Sequence, residues 1–142
     1  VERWRREFWF YSSTVPSFEQ YALARFMDRG HFERHLNRTR TRYKARREAL
    51  LAAARDTGLT QVGSFEGGDA GLHLLLWMDK RWNEGELAAR AAEVGVGVSP
   101  LSICDLTPPP AHRPPALILG YTRVAAEDMA PALSLLKSAW GF

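Results

Sequence analysis

The spacing of apolar residues changes along this chain. In the first part it is that of helices throughout, and in the second part helical and strand spacing alternate. Large apolar residues recur every three or four positions in residues 1–11 and predict the end of a helix. The same period over 18–28 predicts a second helix. We expect Ser17 to be its N-cap and Gln20 to complete a capping box.

Residues 31–56 predict one long helix, which ends at Gly58. At 1.5 Å per residue it spans roughly 38 Å, more than a small compact bundle holds, so it is expected to cross a domain boundary or lie along a sheet. Its apolar face consists of Phe32, Leu36, Tyr43 and Leu50.

After Gly58, strand and helix patterns alternate. The predicted strands are 61–65, 71–78, 94–100 and 116–124, and the predicted helices are 84–93 and 127–140. The strand 71–78 is apolar enough to be covered on both faces, and 107–115 is a stiff proline-rich loop. The order predicts an α/β (α+β) fold: long N-terminal helices lead into a two-layer sandwich, in which helices pack on one face of a small mixed or antiparallel sheet.

Composition is ordinary for a globular protein: 142 residues, 46% hydrophobic and 25% charged. No apolar run approaches the roughly 20 residues of a membrane span, and the start, VERWRREFWF, is unlike a signal peptide. It also lacks Met, so we expect the chain to be cut from a longer protein. The single Cys104 excludes an internal disulfide, favours a reducing compartment and is interpreted as a small apolar filler.

Charge is unevenly distributed. Residues 1–56 contain thirteen basic and seven acidic side chains, whereas the remainder contains six and nine. Most of the excess lies on the predicted long helix and allows a nucleic acid or acidic partner. A DNA-recognition helix, however, is normally short and follows a tight turn. The long apolar stripe therefore favours a solvated face, or a face against another domain, over direct DNA binding.

Motifs for catalysis or metal binding are weak. His31 and His35 share a helix face, but Phe32 follows the first histidine where a metalloprotease has Glu, and no third ligand is near, so no metal site is predicted. GGDAG, residues 67–71, precedes a strand and predicts a turn. No nucleophile elbow holds the possible hydrolase residues Ser99, Ser102, His73 and Asp105.

Four stretches, in this order, carry a resemblance over nearly the whole chain: VPSFEQYALARFMDRGHFERHLNRTRTRYKARREALLAAA, AGLHLLLWM, ELAARAAEVGVGVSPLS and ALILGYTRV. Together they resemble the C-terminal, small-domain part of fold-type-I PLP-dependent aminotransferases. The resemblance is closest to the aminotransferase-like domain of the MocR subgroup of GntR-type transcriptional regulators.

The resemblance implies connector helices in 1–57 and the small C-terminal domain in 58–142. In the family, the lysine that binds pyridoxal phosphate (PLP) precedes this stretch, and Lys44, Lys80 and Lys137 do not match it. The full-length parent is therefore expected to bind PLP. This fragment alone is expected to bind none, to have no catalytic residues and to be inert. Its partners are the missing large PLP domain and an N-terminal winged helix-turn-helix of the same chain, through which the parent would bind DNA.

One difference from the family pattern bears on whether the full-length parent is an aminotransferase or a regulator. Aminotransferases of this family tend to place a substrate-carboxylate arginine three residues before the aromatic of the strand that ALILGY resembles, and here that position is Ile118. An apolar side chain cannot hold a carboxylate. Arg113 is a speculative substitute, and Arg123 sits elsewhere in the pattern.

The segment YSSTVP resembles the family segment that reaches the PLP phosphate of a neighbouring subunit. Ser12, Ser13 and Thr14 offer hydroxyl donors suited to that role, although turn formation explains them as well. If they bind the phosphate, the active site is shared across a homodimer.

The main hypothesis is a fragment of a cytoplasmic, PLP-binding regulator of the MocR/GntR type, in which ligand binding changes the closure of this domain and so the DNA-binding arms. One alternative is the C-terminal domain of a class I/II PLP-dependent aminotransferase. Another is a free-standing interaction module without a cofactor.

Overall fold

The computed structural model describes residues 1–10, 15–67, 71–110 and 112–142. The chain forms two compact units, Val1–Arg40 and Thr41–Phe142, and the division falls inside one long helix. The predicted boundary between residues 57 and 58 concerns the domains of a longer parent and stays a prediction. Among the described residues, no helix combines the length and apolar composition that a membrane crossing needs.

The first unit contains helices α1 (Glu2–Glu7) and α2 (Ser17–Asp28) and the start of α3 (His31–Asp56). No residue of α1 or α2 is buried. The predicted capping box is wrong: the N-cap of α2 is Pro16, without a side-chain cap, and Gln20 donates to the carbonyl of Val15 instead. Proline fixes its own φ near the value that a helix start needs, so Ser17 becomes the first helical residue.

Among its described residues, the second unit contains the rest of α3, a four-stranded sheet and two further helices. Its strands are β1 (Gly63–Glu66), β2 (His73–Met78), β3 (Ser99–Pro100) and β4 (Ala116–Gly120). Its helices are α4 (Glu84–Glu93) and α5 (Ala126–Ala139), and short 3-10 helices cover Leu59–Gln61 and Leu101–Cys104. The predicted β-β-α-β-β-α order and the α/β fold class are confirmed.

All strand pairs are antiparallel, in the order β1-β2-β4-β3. Side chains alternate across β2: Leu74, Leu76 and Met78 are buried, while Leu75 and Trp77 are only half-buried. The expectation that this strand is covered on both faces is therefore wrong for the second unit. An antiparallel sheet can leave one face open, and this one does.

The covered face of the sheet forms one core with the helices. From α5 it takes Met129, Leu133 and Leu136, as predicted, and Trp140 just beyond the helix end. From α4 it takes Leu87 and Ala91, whereas the predicted inward residue Ala92 is exposed. From α3 it takes Leu50, Ala53 and Ala54.

All four predicted strands differ from the structure in their limits, and two of them are much shorter than expected. The 94–100 strand is reduced to the two residues of β3, because α4 ends in a turn in which Gly95 has a φ of 77°. The 116–124 strand ends at Gly120, and a turn leads from there into α5. Apolar composition marks both stretches, but backbone pairing decides where a strand begins and ends.

Gly63 provides a test of the β1–β2 pairing. A Cβ added there would lie 2.3 Å from the backbone carbonyl oxygen of Trp77, which cannot move without shifting the strand. Gly63→Ala is expected to lower the free energy of unfolding by about 1–3 kcal/mol in urea denaturation, as overpacking does. In the control Gly97→Ala, the added Cβ meets no described atom within 4 Å, so a change within about 0.5 kcal/mol is expected. Equal losses in both variants would contradict the close approach.

Candidate functional site

The open face of the sheet contains Ile118, the position at which aminotransferases of the resembling family tend to have an arginine. Ile118 lies in the centre of β4, half-buried, with Leu75 of β2 and Ser99 of β3 as its in-register neighbours. Two apolar side chains and a hydroxyl form this part of the face. It offers no guanidinium or amine to a carboxylate at this register.

A polar cluster closes one end of the sheet around Glu84, the first residue of α4. Its carboxylate accepts hydrogen bonds from the backbone amides of Ser102, at 2.9 Å, and Ala116, at 2.8 Å. The side chain is 11% exposed and lies 3.9 Å from the Nη2 of Arg113. Burial raises the pKa of Glu84, but the hydrogen bonds from Ala116 and Ser102 and the charge of Arg113 outweigh it, so the pKa lies below its ordinary value of 4.5.

Arg113 is held in the same cluster by Asp105. Its two terminal nitrogens donate to the two carboxylate oxygens at 2.9 and 2.7 Å, a bidentate pair that raises the pKa of Arg113. The pair joins the two ends of the proline-rich loop. Because the guanidinium fork is already engaged, Arg113 is not free to substitute for the carboxylate arginine that Ile118 replaces.

An apolar cavity of about 200 Å³ lies in the second unit between α5, β4 and the glycine-rich segment after α4. Its walls include Gly97, Val98, Leu119 and Leu133. The hydroxyl of Tyr121, which also lines it, donates to the carbonyl of Gly71. The lining suits apolar packing and offers no pair of acid and base.

The histidines of α3 and the possible hydrolase residues lie in ordinary structural surroundings. His31 packs its ring against that of Phe26, 5.7 Å between centroids, and His35 is exposed on α3. In the described part of the chain, no group of three or more His, Cys, Asp or Glu side chains could hold a metal ion. Of the possible hydrolase residues, Asp105 is engaged by Arg113, and His73 lies at the start of β2.

The structure leaves one further sequence interpretation untested and corrects another. Ser12, Ser13 and Thr14, the candidate PLP-phosphate donors, lie outside the described residues, so their role stays a prediction. Cys104 is not the small core filler that was expected: it is exposed at the end of a 3-10 helix.

Sequence reasoning missed the Glu84–Asp105–Arg113 cluster. A local signal exists only for part of it: Asn83 is the N-cap of α4 and accepts from the amides of Gly85 and Glu86, which places Glu84 in the first turn. The partners of Glu84 lie 18 and 32 residues further along the chain. Nothing in the local pattern points to them.

No protein-family model matches the chain. It is 31% identical over 132 residues to the uncharacterized HTH-type transcriptional regulator YdeL of Bacillus subtilis (strain 168), covering 92% of this chain and 27% of that protein. The similar regulator YhdI of the same organism is 32% identical over 127 residues, 89% and 26% of the two proteins. The probable rhizopine catabolism regulatory protein MocR of Rhizobium meliloti is 31% identical over 121 residues, 85% and 24%. The chain thus spans about a quarter of the length of these relatives.

Solved structures share the fold. An archaeal alanine:glyoxylate aminotransferase superposes with a TM-score of 0.72 at 22% identity, over 87% of this chain and 30% of that one. A Pyrococcus horikoshii kynurenine aminotransferase, solved in complex with PMP, superposes with a TM-score of 0.66 at 22% identity, over 81% and 28%. The chain has the fold of part of an aminotransferase and sequence similarity to part of these regulators.

Proposed function

We propose that this chain, a homologue of part of the HTH-type transcriptional regulators that include MocR, supplies the small domain of a GntR-type regulator with an aminotransferase-like domain. The observation that carries the proposal is the pairing of two likenesses over the same residues: sequence similarity to regulators, and the fold of aminotransferases. In the parent, a winged helix-turn-helix outside this chain binds DNA. Ligand binding changes how this domain closes and thereby where the DNA-binding arms lie.

PLP is proposed for the parent and assigned to its large domain. A PLP site needs a lysine, a carboxylate for the ring nitrogen and donors for the phosphate around one ring. In this chain, the Nζ of Lys44 lies 4.0 Å from the Oε1 of Glu48 on an exposed stretch of α3. The Nζ of Lys137 donates to the carbonyl of Thr57 at 3.0 Å, and Lys80 is exposed. These residues do not fit the cofactor, so no step of PLP chemistry is assigned to this chain.

Ile118 favours a regulator over a working aminotransferase. Its register neighbours Leu75 and Ser99 supply no cation, and Arg113 is engaged by Asp105. Transamination of an amino acid requires that the substrate carboxylate is bound in a fixed orientation, and an arginine that binds it bidentately is the side chain best suited to this. A sensor can use the same cleft for a ligand that it never converts.

A cytoplasmic homodimer is part of the proposal. In it, the hydroxyl groups of Ser12, Ser13 and Thr14 bind the PLP phosphate of the neighbouring subunit, so the active site is shared between two subunits. The uneven charge of the chain agrees with a parent that acts on DNA, although the reading of the operator belongs to the helix-turn-helix.

The full-length parent tests the proposal in three measurements: its visible absorption, operator-DNA binding with and without candidate amino acids, and transaminase turnover. The expected result is a PLP absorption band and DNA binding that changes with a ligand, without turnover. Turnover without DNA binding would show that the parent is an aminotransferase. No PLP band and no DNA binding would favour the interaction module.

A matched pair of variants in the parent addresses Ile118 itself. Ile118→Arg adds a guanidinium to the open sheet face and is expected to tighten binding of a dicarboxylic amino acid about tenfold, the value of one charge-assisted hydrogen bond. Ile118→Leu keeps the side chain apolar and is expected to leave binding unchanged. An unchanged affinity in both variants would mean that this position does not face the ligand.

A further inference from the structure

The apolar cavity of the second unit is large compared with the gaps of a close-packed core. Its volume is about 200 Å³, whereas protein interiors contain few voids larger than a water molecule. Its described walls all belong to the second unit. Helix α3 contributes Leu50, β4 contributes Leu119, and α5 contributes Leu133.

The walls on the core side are fixed by packing. Met129, Leu133 and Leu136 of α5 and Leu119 of β4 are buried. The same side chains belong to the core that the sheet shares with its helices. Because they are held from behind, they cannot move inwards to fill the space without opening a gap elsewhere in the core. The cavity is therefore a stable feature of the fold.

The wall formed by the segment after α4 is thin. Gly95 and Gly97 are exposed there, and Val96 and Val98 are half-buried. Glycine has no side chain that covers an opening, and a Cβ added at Gly97 would meet no described atom within 4 Å. This side connects the cavity with solvent, so a small molecule can enter without unfolding the core.

The lining selects for an uncharged molecule. None of the side chains described as its walls is charged, and the hydroxyl of Tyr121 already donates to the carbonyl of Gly71. A charged ligand would lose its hydration there without gaining a partner, which is costly. Apolar cavities of about 150 Å³ in other proteins bind benzene or xenon. This cavity, at about 200 Å³, accommodates a molecule of that size or slightly larger.

We propose that the cavity is a binding site for a small uncharged molecule with one apolar ring. The site is separate from the open sheet face, because Leu119 in its wall and Ile118 on that face are adjacent in β4 and point to opposite sides. A bound ring gains apolar contacts with α3, β4 and α5 and so stabilises the second unit. The inference does not depend on the proposed function, because this chain supplies the walls.

The test uses this chain with benzene as the probe. Amide NMR spectra recorded over a benzene titration are expected to show saturable shifts at the cavity walls, with a Kd of about 1 mM or lower, which ligands of this size reach. At about ten times that concentration, the Tm of the chain is expected to rise by about 5 °C. Benzoate and benzylammonium, its charged counterparts, are expected to bind at least about tenfold more weakly.

A matched pair of variants locates the site. Ala132→Leu adds volume at a wall of the cavity on α5 and is expected to weaken benzene binding by at least about tenfold. Ala92→Leu makes the same change at an exposed position of α4 outside the described walls, and is expected to bind benzene within about twofold of the wild type. Leucine is a good helix former, and circular dichroism checks that both helices are intact. If leucine at position 132 lowers the stability, Ala132→Met repeats the test with a more adaptable side chain.

Three results would overturn the inference: no saturable benzene binding, shifts that lie away from the cavity walls, or equal losses of binding in Ala132→Leu and Ala92→Leu. Benzoate or benzylammonium bound as tightly as benzene would overturn it as well, since the lining would then not select an uncharged ligand. Failure of the full-length parent to bind operator DNA is a separate result, which would overturn the proposed function and leave this site unaffected.

Discussion

Replacing Trp140 with alanine is expected to lower the free energy of unfolding of the second unit by about 3–5 kcal/mol, the usual loss for a buried aromatic side chain. Trp140 is completely buried, directly after α5, and packs in the core that the sheet shares with its helices. Its indole Nε1 donates to the carbonyl of Leu87 at 2.9 Å and so joins the end of α5 to α4. Both the cavity and the lost hydrogen bond contribute to the loss.

Trp140→Phe separates these two contributions. Phenylalanine keeps much of the apolar volume but removes the hydrogen bond to the Leu87 carbonyl, so a loss of about 1–2 kcal/mol is expected. Urea denaturation followed by circular dichroism gives both values. If alanine and phenylalanine cost the same, packing does not decide the stability at this position.

Replacing Glu84 with alanine is expected to lower the free energy of unfolding by about 2–3 kcal/mol at neutral pH, because hydrogen bonds to a charged group are lost. The amides of Ser102 and Ala116 then have no acceptor from α4, and Arg113 keeps only Asp105. The start of β4 and the turn after β3 both lose their attachment to α4. Glu84→Gln retains one acceptor oxygen and is expected to fall between the wild type and alanine.

The contribution of Glu84 depends on pH in a direction that can be checked. The pKa of its carboxyl is lower in the folded chain than its ordinary value of 4.5, so the unfolded chain binds more protons between the two values. The stabilisation is therefore fully present above about pH 5 and is lost as the pH falls through the folded pKa. The difference in unfolding free energy between wild type and Glu84→Gln should be constant above that pH and shrink below it. A difference that stays the same down to about pH 3 would contradict the assignment.

The proposed role and the stability of the second unit are linked through the sheet. Its covered face packs in the core around Trp140, and one of its ends is held by Glu84, so Ile118 and Leu75 lie on a defined open face. A domain that closes on a ligand needs such a rigid face. Loss of either attachment is expected to weaken ligand response in the parent together with stability.

The helices could be predicted from the sequence because their signals are local. The limits of α3 and α4 agree with the apolar period and with the stop at Gly58, which has a φ of 73°. The inward face of α5 was predicted residue by residue for the same reason: a period of 3.6 places its apolar side chains on one side. The fold class followed from the order of these elements.

Strand limits depended on partners that lie far away in the sequence. β3 has two residues and β4 ends at Gly120, because each pairs only where a neighbour lies in register. The open face of β2 has the same origin, since an apolar strand looks alike whether one face or two are covered.

By itself, therefore, the sequence determined the helices, the order of elements and the resemblance that led to a regulator, because residue spacing and family patterns are properties of the chain alone. Only the tertiary structure decided that Asp105 engages Arg113, that Glu84 holds two distant amides and that Ile118 faces outwards. Hydrogen bonds and exposure are made by residues that folding brings together, and no local period records them.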